Sequence, residues 1–331
     1  MEYTEFIDFM KIRAIKEAPE GARVCVNKVI KTNDTVLDGL TILERGRYVS
    51  PTVYLNPYYE RYKRGAELET LFQEIYLVYE TYKDSFEFPV SLFENFENLK
   101  EHITFRLVNT NRNKQLLEEA PHRDFLDLSI IYYCLIDAGD GNMSAALIRN
   151  ENLRGWCKAG RTVTEEELFS LACENTPRLL PPIIRSVRDL FLHGFDNDKD
   201  DFEDQADQDD DEDALFERLD YNPDWAGEAR ISREQIINNN MYIITNCYRR
   251  NGAAVLLYDG LLEKFAECTG RNFYILPSSI HEIILLPDEP DFDLEGMSEM
   301  VSSVNRNGVA PEEVLSDHAY YYHADTGEIE F

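Results

Sequence analysis

The chain has 331 residues, 44% of them hydrophobic and 12% aromatic, which is enough to bury a substantial core and too much for a disordered polymer. Its 63 acidic residues against 33 basic ones give a formal charge of -30, which argues against binding a nucleic-acid backbone or an anionic membrane surface. No run approaches the roughly 18 apolar residues of a membrane span.

In chain order, residues 3 to 17 predict an amphipathic helix with Tyr3, Phe6, Ile7 and Met10 on one face, closed by Pro19 and Gly21. Two strands follow, Val24 to Lys31 and Val36 to Leu43, joined through Thr32, Asn33 and Asp34 as a hairpin, and then a short strand from Thr52 to Leu55. Asn56 and Pro57 suit a helix start, as N-cap and first-turn proline. The clearest helix runs from about Glu67 to Tyr82, where Leu68, Leu71, Phe72, Ile75, Tyr76, Tyr79 and Tyr82 recur at spacings of three and four. Periodicity alone assigns that stripe to core packing, with a partner surface as the alternative.

From Ile103 the pattern becomes a strand, a short helix from Asn111 to Glu119, and a long strand from Phe125 to Asp137. The turn Gly139 to Asn142 returns the chain into SAALIRN as a second hairpin. Thr164 with Glu167 forms a capping box for a helix to Glu174, after which NTPRLLPP is expected to break the helix into a polar loop. Asn175, Arg178 and Arg185 are the candidate binding residues of that region, because a guanidinium grips a carboxylate or phosphate bidentately. Pairing with one of the chain's many acids is the plainer reading.

Asp196 to Asp213 hold 12 acids against the single Lys199, within an insertion of about residues 195 to 228 that is expected to be disordered. Asp196, Asp198 and Asp200, and again Asp207, Asp209 and Asp211, show the first spacings of an EF-hand loop, but its turn glycine is missing. A flexible insertion also lacks the rigid carboxylate spacing of a DNA mimic. Beyond it come a capping box at Ser232 and Gln235, a strand MYIITNCY, a turn at Arg250 to Gly252 and a strand AAVLLY. A helix through Leu261, Leu262, Phe265 and Ala266 then stops at Gly270. The outline shared by SAALIRN and GAAVLLY reads as either a diverged duplication or a chance likeness. Strands 273–276 and 283–286 enclose the polar insert Ser278 to Glu282, and a last helix carrying Leu294, Met297, Val301 and Val304 precedes a tail strand HAYYYH.

His122, Arg123 and Asp124 match the start of a kinase catalytic loop, but the required Asn is Ser129, and no DFG or glycine-rich loop accompanies them. They read as a polar turn into a buried strand. Ser279, His281 and Glu282 offer a nucleophile, a base and a carboxylate. Neighbouring side chains of an extended segment point to opposite faces, so a working site needs help, for which Asp317 and His318 are the best candidates. Convergence of His281, Glu282, His318 and His323 would suit zinc, yet no helical metal spacing such as HExxH supports it, and neither metal nor cofactor is assigned. The structural alternative has Ser278 or Ser279 capping a turn, with His281 hydrogen-bonded to Glu282 or to backbone. The cysteines, Cys25, Cys134, Cys157, Cys173, Cys247 and Cys268, lie far apart and form no Cys-x-x-Cys pair, as in proteins of a reducing compartment. With no signal-peptide pattern at the N-terminus, the expected location is the cytoplasm.

Several stretches together resemble an uncharacterised bacterial family, known mainly from Firmicutes of the gut and described only as a domain of unknown function. They are VLDGLTI with VSPTVYLNPYYERYKRG, PHRDFLDLSIIYYCLI, ALIRNENL, ACENTPRLLPP, GAAVLLYDGLLEKFAE, FYILPSSIHEIILLP and EEVLSDHAYYYH. The likeness covers about residues 20 to 323, with the acidic insertion as its length-variable part. It implies a bacterial, cytoplasmic protein and supplies no activity, cofactor or site residue. GAAVLLYDGLLEKFAE and FYILPSSIHEIILLP also resemble a second uncharacterised bacterial family, which bears on fold alone.

The whole pattern predicts an α+β protein: an antiparallel or mixed sheet built from hairpins, with amphipathic helices packed on it and a disordered acidic insertion. Residues 1–99 are expected to form a unit of N-terminal helix, hairpin and Tyr-rich helix, and residues 100–331 the main unit. The expected function is non-catalytic binding of an unknown protein or peptide partner. The alternative is a hydrolase-like or metal-dependent enzyme centred on His281 and Glu282 with Asp317 and His318.

Overall fold

A computed structural model describes residues 1–47, 50–83, 95–137, 143–187, 217–218 and 241–331. The acidic tract with its EF-hand-like spacings, the Gly139 to Asn142 turn and the Ser232/Gln235 capping box lie outside the described residues. The fold is α+β, and every strand pair among the described residues is antiparallel.

Helix α1 (Tyr3–Glu17) buries Phe6, Met10 and Ala14, one residue per turn, against a three-stranded sheet of β1 (Arg23–Ile30), β2 (Val36–Leu43) and β3 (Thr52–Tyr54). Gly39 lies directly opposite Tyr54, and a Cβ there would meet Thr52 Cγ2 at 2.5 Å, so the close approach of β3 depends on this glycine. Helices α2 (Asn56–Lys63) and α3 (Leu68–Tyr82) follow. The stripe read from sequence buries Leu71, Phe72, Ile75 and Tyr79, whereas Tyr82 at its end is 56% exposed. Asn56 does not cap α2 as expected. Its Oδ1 accepts the Asp38 N–H at 2.8 Å and ties the helix start to β2.

The second sheet is centred on β6 (Leu128–Asp137), with β4 (Ile103–Asn109) along one side and β5 (His122–Phe125) and β7 (Met143–Leu147) in succession along the other. The expected turn at His122, Arg123 and Asp124 is therefore a strand. The chain reverses instead at Leu126, which adopts φ 55°, and lays these residues against Ser129 to Ile131. Short helices α4 (Phe96–Leu99) and α5 (Lys114–Glu119) flank β4.

Helices α6 (Asn150–Lys158) and α7 (Glu165–Leu179) come next, with the Thr164 side chain accepting the Glu167 N–H as the capping pattern predicts. Helix α7 does not stop at Glu174 but continues through Pro177. A proline this near a C-terminus removes one helical hydrogen bond, and tertiary bonds hold the last turn in place. Asn175 Nδ2 donates to the Lys100 and Ile103 carbonyls at 2.7 and 3.1 Å, and Thr176 Oγ1 accepts the Phe105 N–H at 3.1 Å.

The third sheet runs in the order β14-β13-β11-β12-β10-β8-β9, from β8 (Pro182–Ser186), β9 (Glu217–Arg218), β10 (Tyr242–Asn246), β11 (Phe273–Leu276), β12 (Ile283–Pro287), β13 (Tyr320–Tyr322) and β14 (Ile329–Glu330). One face, with Phe273, Ile275, Ile283 and Leu285, joins the large core that also contains helix α8 (Leu261–Thr269). The other face, with Tyr274, Leu276 and Leu286, is covered by Met297 and Val301 of α9 (Leu294–Gly308). Burial on both faces explains why FYIL and IILLP read as continuous apolar runs rather than alternating ones.

The expected strand AAVLLY is instead a 3-10 segment, Gly252–Leu257, with Ala253 to Leu256 buried. The duplication outline therefore fails at this point, since SAAL is a strand and GAAVLL is helical. The two largest apolar clusters among the described residues run from Phe6 to Tyr79 and, larger still, from Phe96 to Tyr322.

Candidate functional site

The polar insert between β11 and β12 is clasped along its backbone by the segment that follows α9. Ile280 N–H donates to Glu313 O at 2.8 Å, Leu315 N–H to Ser278 O at 3.0 Å, and Ser316 N–H to Pro277 O at 2.9 Å. Ser279 and His281 are locked from inside this bend. Ser279 Oγ accepts the His281 N–H at 3.0 Å, and the His281 carbonyl accepts Thr245 Oγ1 at 2.7 Å. His281 Nδ1 accepts the Asn251 N–H at 3.2 Å, so the neutral ring carries its hydrogen on Nε2, 3.4 Å from Glu313 Oε1. Beside it, burial pushes the Glu282 carboxyl up, with His281 and Ser279 opposing the shift.

Asn251 is left-handed at φ 52°, and Gly252 after it presses on the same bend. A Cβ on Gly252 would lie 2.1 Å from Thr245 Oγ1, 2.5 Å from His281 O and 2.7 Å from Asn246 N.

Asp317 and His318 belong to the far end of the clasp and have other partners. Asp317 receives Arg112 Nη2 at 2.6 Å and Asn305 Nδ2 at 2.8 Å. Burial alone would raise its carboxyl, but these two donors outweigh burial and hold it below the usual range. His318 is exposed, with its ring edge-on to Phe331 at 5.4 Å, and His323 Nε2 faces Glu330 at 3.1 Å. The structure thus gathers Ser279, His281 and Glu282 with Asn251 and Glu313, and sets Asp317 with Arg112 and Asn305. Among the described residues no group of three or more His, Cys, Asp or Glu is placed to hold a metal ion. Of the other candidates, Asn175 and Arg178 serve backbone carbonyls, Arg178 reaching Glu101 O at 3.0 Å, and Arg185 is buried on β8 opposite Ile243.

The clasp continues into an asparagine seam that sequence reasoning did not single out. At the tip of the first hairpin, Asn33 adopts φ 60° and donates its backbone N–H to Asn113 Oδ1 at 2.7 Å. Its side-chain amide donates to the Pro311 and Val314 carbonyls, each at 2.7 Å, and its Oδ1 accepts Asn113 Nδ2 at 2.8 Å. Asn109 Nδ2 reaches Leu315 O at 2.8 Å, while Asp127 accepts Ser316 Oγ at 2.7 Å and also the Tyr320 hydroxyl. The available signal was the density of Asn in two turn segments, TND and NTNRN, a residue type that tolerates left-handed backbone and bonds neighbouring main chain.

A different arrangement occurs on the N-terminal sheet. Thr52, Val53 and Tyr54 of β3 form the floor of an open cleft of about 460 Å³, walled by Pro57, Tyr58 and Arg61 of α2 and by Val78 of α3. Arg61 makes a two-pronged ion pair with Glu74 and lies 5.7 Å from the Tyr58 ring centroid. Lys31 Nζ sits 4.4 Å above the Tyr54 ring. Burial raises the Tyr58 hydroxyl, and Glu74 adds to the shift. The lining offers aromatic rings, a methyl-rich wall and one guanidinium, but no histidine, cysteine or carboxylate.

Residues 3–324 match the family of unknown function DUF5688. The chain belongs to that family. The resemblance read from the sequence therefore holds over nearly its full length, and DUF5688 carries no assigned activity to transfer to either the clasp or the cleft. No curated protein and no solved structure matches the chain. No helix among the described residues is long and apolar enough to cross a membrane.

Proposed function

We propose that this DUF5688 protein is a non-catalytic binding protein of the bacterial cytoplasm, and that residues 1–99 form its recognition unit for a protein or peptide partner. The observation that carries this reading is the cleft beside β3. Tyrosine and arginine dominate the energetics of protein recognition because they bring large area and directed polar contact at low entropic cost, and Tyr54, Tyr58 and Arg61 line this one opening. The groups that would support catalysis are already engaged, since both ring nitrogens of His281 face protein partners and Asp317 is held by Arg112 and Asn305.

The test is site-specific photocrosslinking in the natural host, with p-benzoylphenylalanine placed at position 58 and, as a control, at position 300, where Met300 is 45% exposed on α9. Discrete adducts at 58 that are missing at 300 support the cleft. Their absence at 58, with the protein expressed and folded, removes it.

A second reading rests on one observation, the His281–Glu313 pair beside the raised Glu282 carboxyl, which is a histidine–carboxylate arrangement suited to proton transfer. Hydrolysis centred on His281 and Glu282, with Asp317 and His318, would require an activity that disappears in His281→Ala. A broad ester and peptide substrate screen with no such activity leaves the binding reading alone.

A further inference from the structure

We infer that the open edge of β3 accepts an extended segment of a partner protein as a fourth strand, with acidic side chains alternating with apolar ones. This rests on the cleft reading above and names the ligand class. In the β2–β3 ladder, Leu55 N–H bonds to Asp38 O, so the 38–55 and 40–53 pairs are the hydrogen-bonded ones. Thr52 and Tyr54 occupy the alternate positions, consistent with the 3.0 Å approach of the Thr41 and Thr52 hydroxyls across the 41–52 pair. Their own N–H and C=O groups therefore point away from β2. Neither residue has another backbone partner among the described residues. These outward groups border the cleft, where an added strand would find its main-chain hydrogen bonds.

Side chains of such a strand alternate between the two sheet faces. Those beside Val53 would meet Val78 and Tyr58, which selects apolar residues. Those on the other face would lie beside Tyr54, whose ring carries the Lys31 ammonium at 4.4 Å, a cation with no carboxylate partner among the described residues of a chain with 63 acids. That lone cation selects an acidic residue.

The experiment is fluorescence anisotropy with the full chain and a labelled octapeptide that alternates glutamate with phenylalanine. Saturable micromolar binding is expected, at least about tenfold weaker when lysine replaces glutamate and when alternate peptide amides are N-methylated. Thr52→Pro removes an outward N–H at a position where an edge strand tolerates proline and is expected to weaken binding by a similar factor, whereas Thr52→Val, which loses the same Thr41 hydroxyl contact but keeps the N–H, is expected to bind like the wild type.

Equal binding of the N-methylated peptide overturns strand addition and leaves the cleft reading intact. No binding of the parent peptide up to about 1 mM also overturns it, and the cleft reading falls too only if crosslinking at position 58 is silent. A dimer of the chain that Thr52→Pro dissociates would replace the peptide with a second copy and overturn the assignment of the partner.

Discussion

The clasp around Ser278 to Glu282 is built from serine, histidine, asparagine and carboxylates and the cleft beside β3 from aromatic and apolar residues with one arginine, and their backbone hydrogen-bonding groups face opposite ways. In the clasp they close on one another, because a donor or acceptor buried without a partner costs about 1–3 kcal/mol. At the cleft, the outward groups of Thr52 and Tyr54 have no backbone partner among the described residues. Polar residues bunched in a sequence therefore mark where hydrogen bonds are needed, and only the surrounding packing decides whether the partner is internal or foreign.

Substitutions can break this contrast, beginning with the largest effect. Gly252→Ala forces a Cβ to within 2.1 Å of Thr245 Oγ1 and close to His281 O, and is expected to cost about 3 kcal/mol or more, read as a lower denaturant midpoint or as insoluble protein. Asn33→Ala removes the amide that reaches Pro311 and Val314 and places at φ 60° a residue without the polar side chain that eases left-handed backbone, for an expected loss of about 2–3 kcal/mol. Asn33→Gly restores the backbone freedom and should recover only part of that loss, which separates strain from lost bonds.

Asp317→Asn is expected to cost about 1 kcal/mol at neutral pH, a figure kept low because the Asp317 side chain is 39% exposed and its ion pair is screened. Its carboxyl is depressed in the fold, so its contribution is complete above the ordinary Asp value near 3.9 and disappears as pH falls through the lower native value. Wild type and variant should therefore converge in stability below about pH 3, as measured by thermal unfolding against pH. Glu282→Gln has the opposite sign. A carboxyl raised by burial opposes folding once it ionises, so the variant should be slightly more stable at neutral pH and equal to wild type below about pH 4. The smallest stability effect belongs to Tyr58→Ala. It is expected to change unfolding by less than about 1 kcal/mol while reducing crosslinking or peptide binding, which would separate the role of Tyr58 in binding from its packing against the N-terminal core.

Much of the fold was legible because its signals were local. The spacing of Leu71, Phe72, Ile75 and Tyr79, the first hairpin, the Gly270 stop and the strands around the polar insert all follow from short-range pattern. The failures share a cause as well. Helix α7 passes Pro177 because Asn175 and Thr176 bond to residues about seventy positions away, and no local rule contains that information. GAAVLL looks like a strand by composition, but it becomes a 3-10 segment where Gly252 packs against β10 and the His281 bend. At the candidate site, His281 and Asp317 were visible as residue types. Asn251, Glu313 and the asparagine seam were not, since their roles arise only when distant segments meet.

The hairpin tip has one more consequence, for how the chain is made. Asn33 leaves the ribosome early, while its acceptors at Pro311 and Val314 follow 278 and 281 residues later. Asn113 becomes available only 80 residues after Asn33, but the seam through Pro311 and Val314 can close only when translation is nearly finished, an interval on the order of tens of seconds at ordinary elongation rates. During that time the nascent N-terminal sheet relies on its own small core and on Asn113, with the acceptors that complete its seam not yet made.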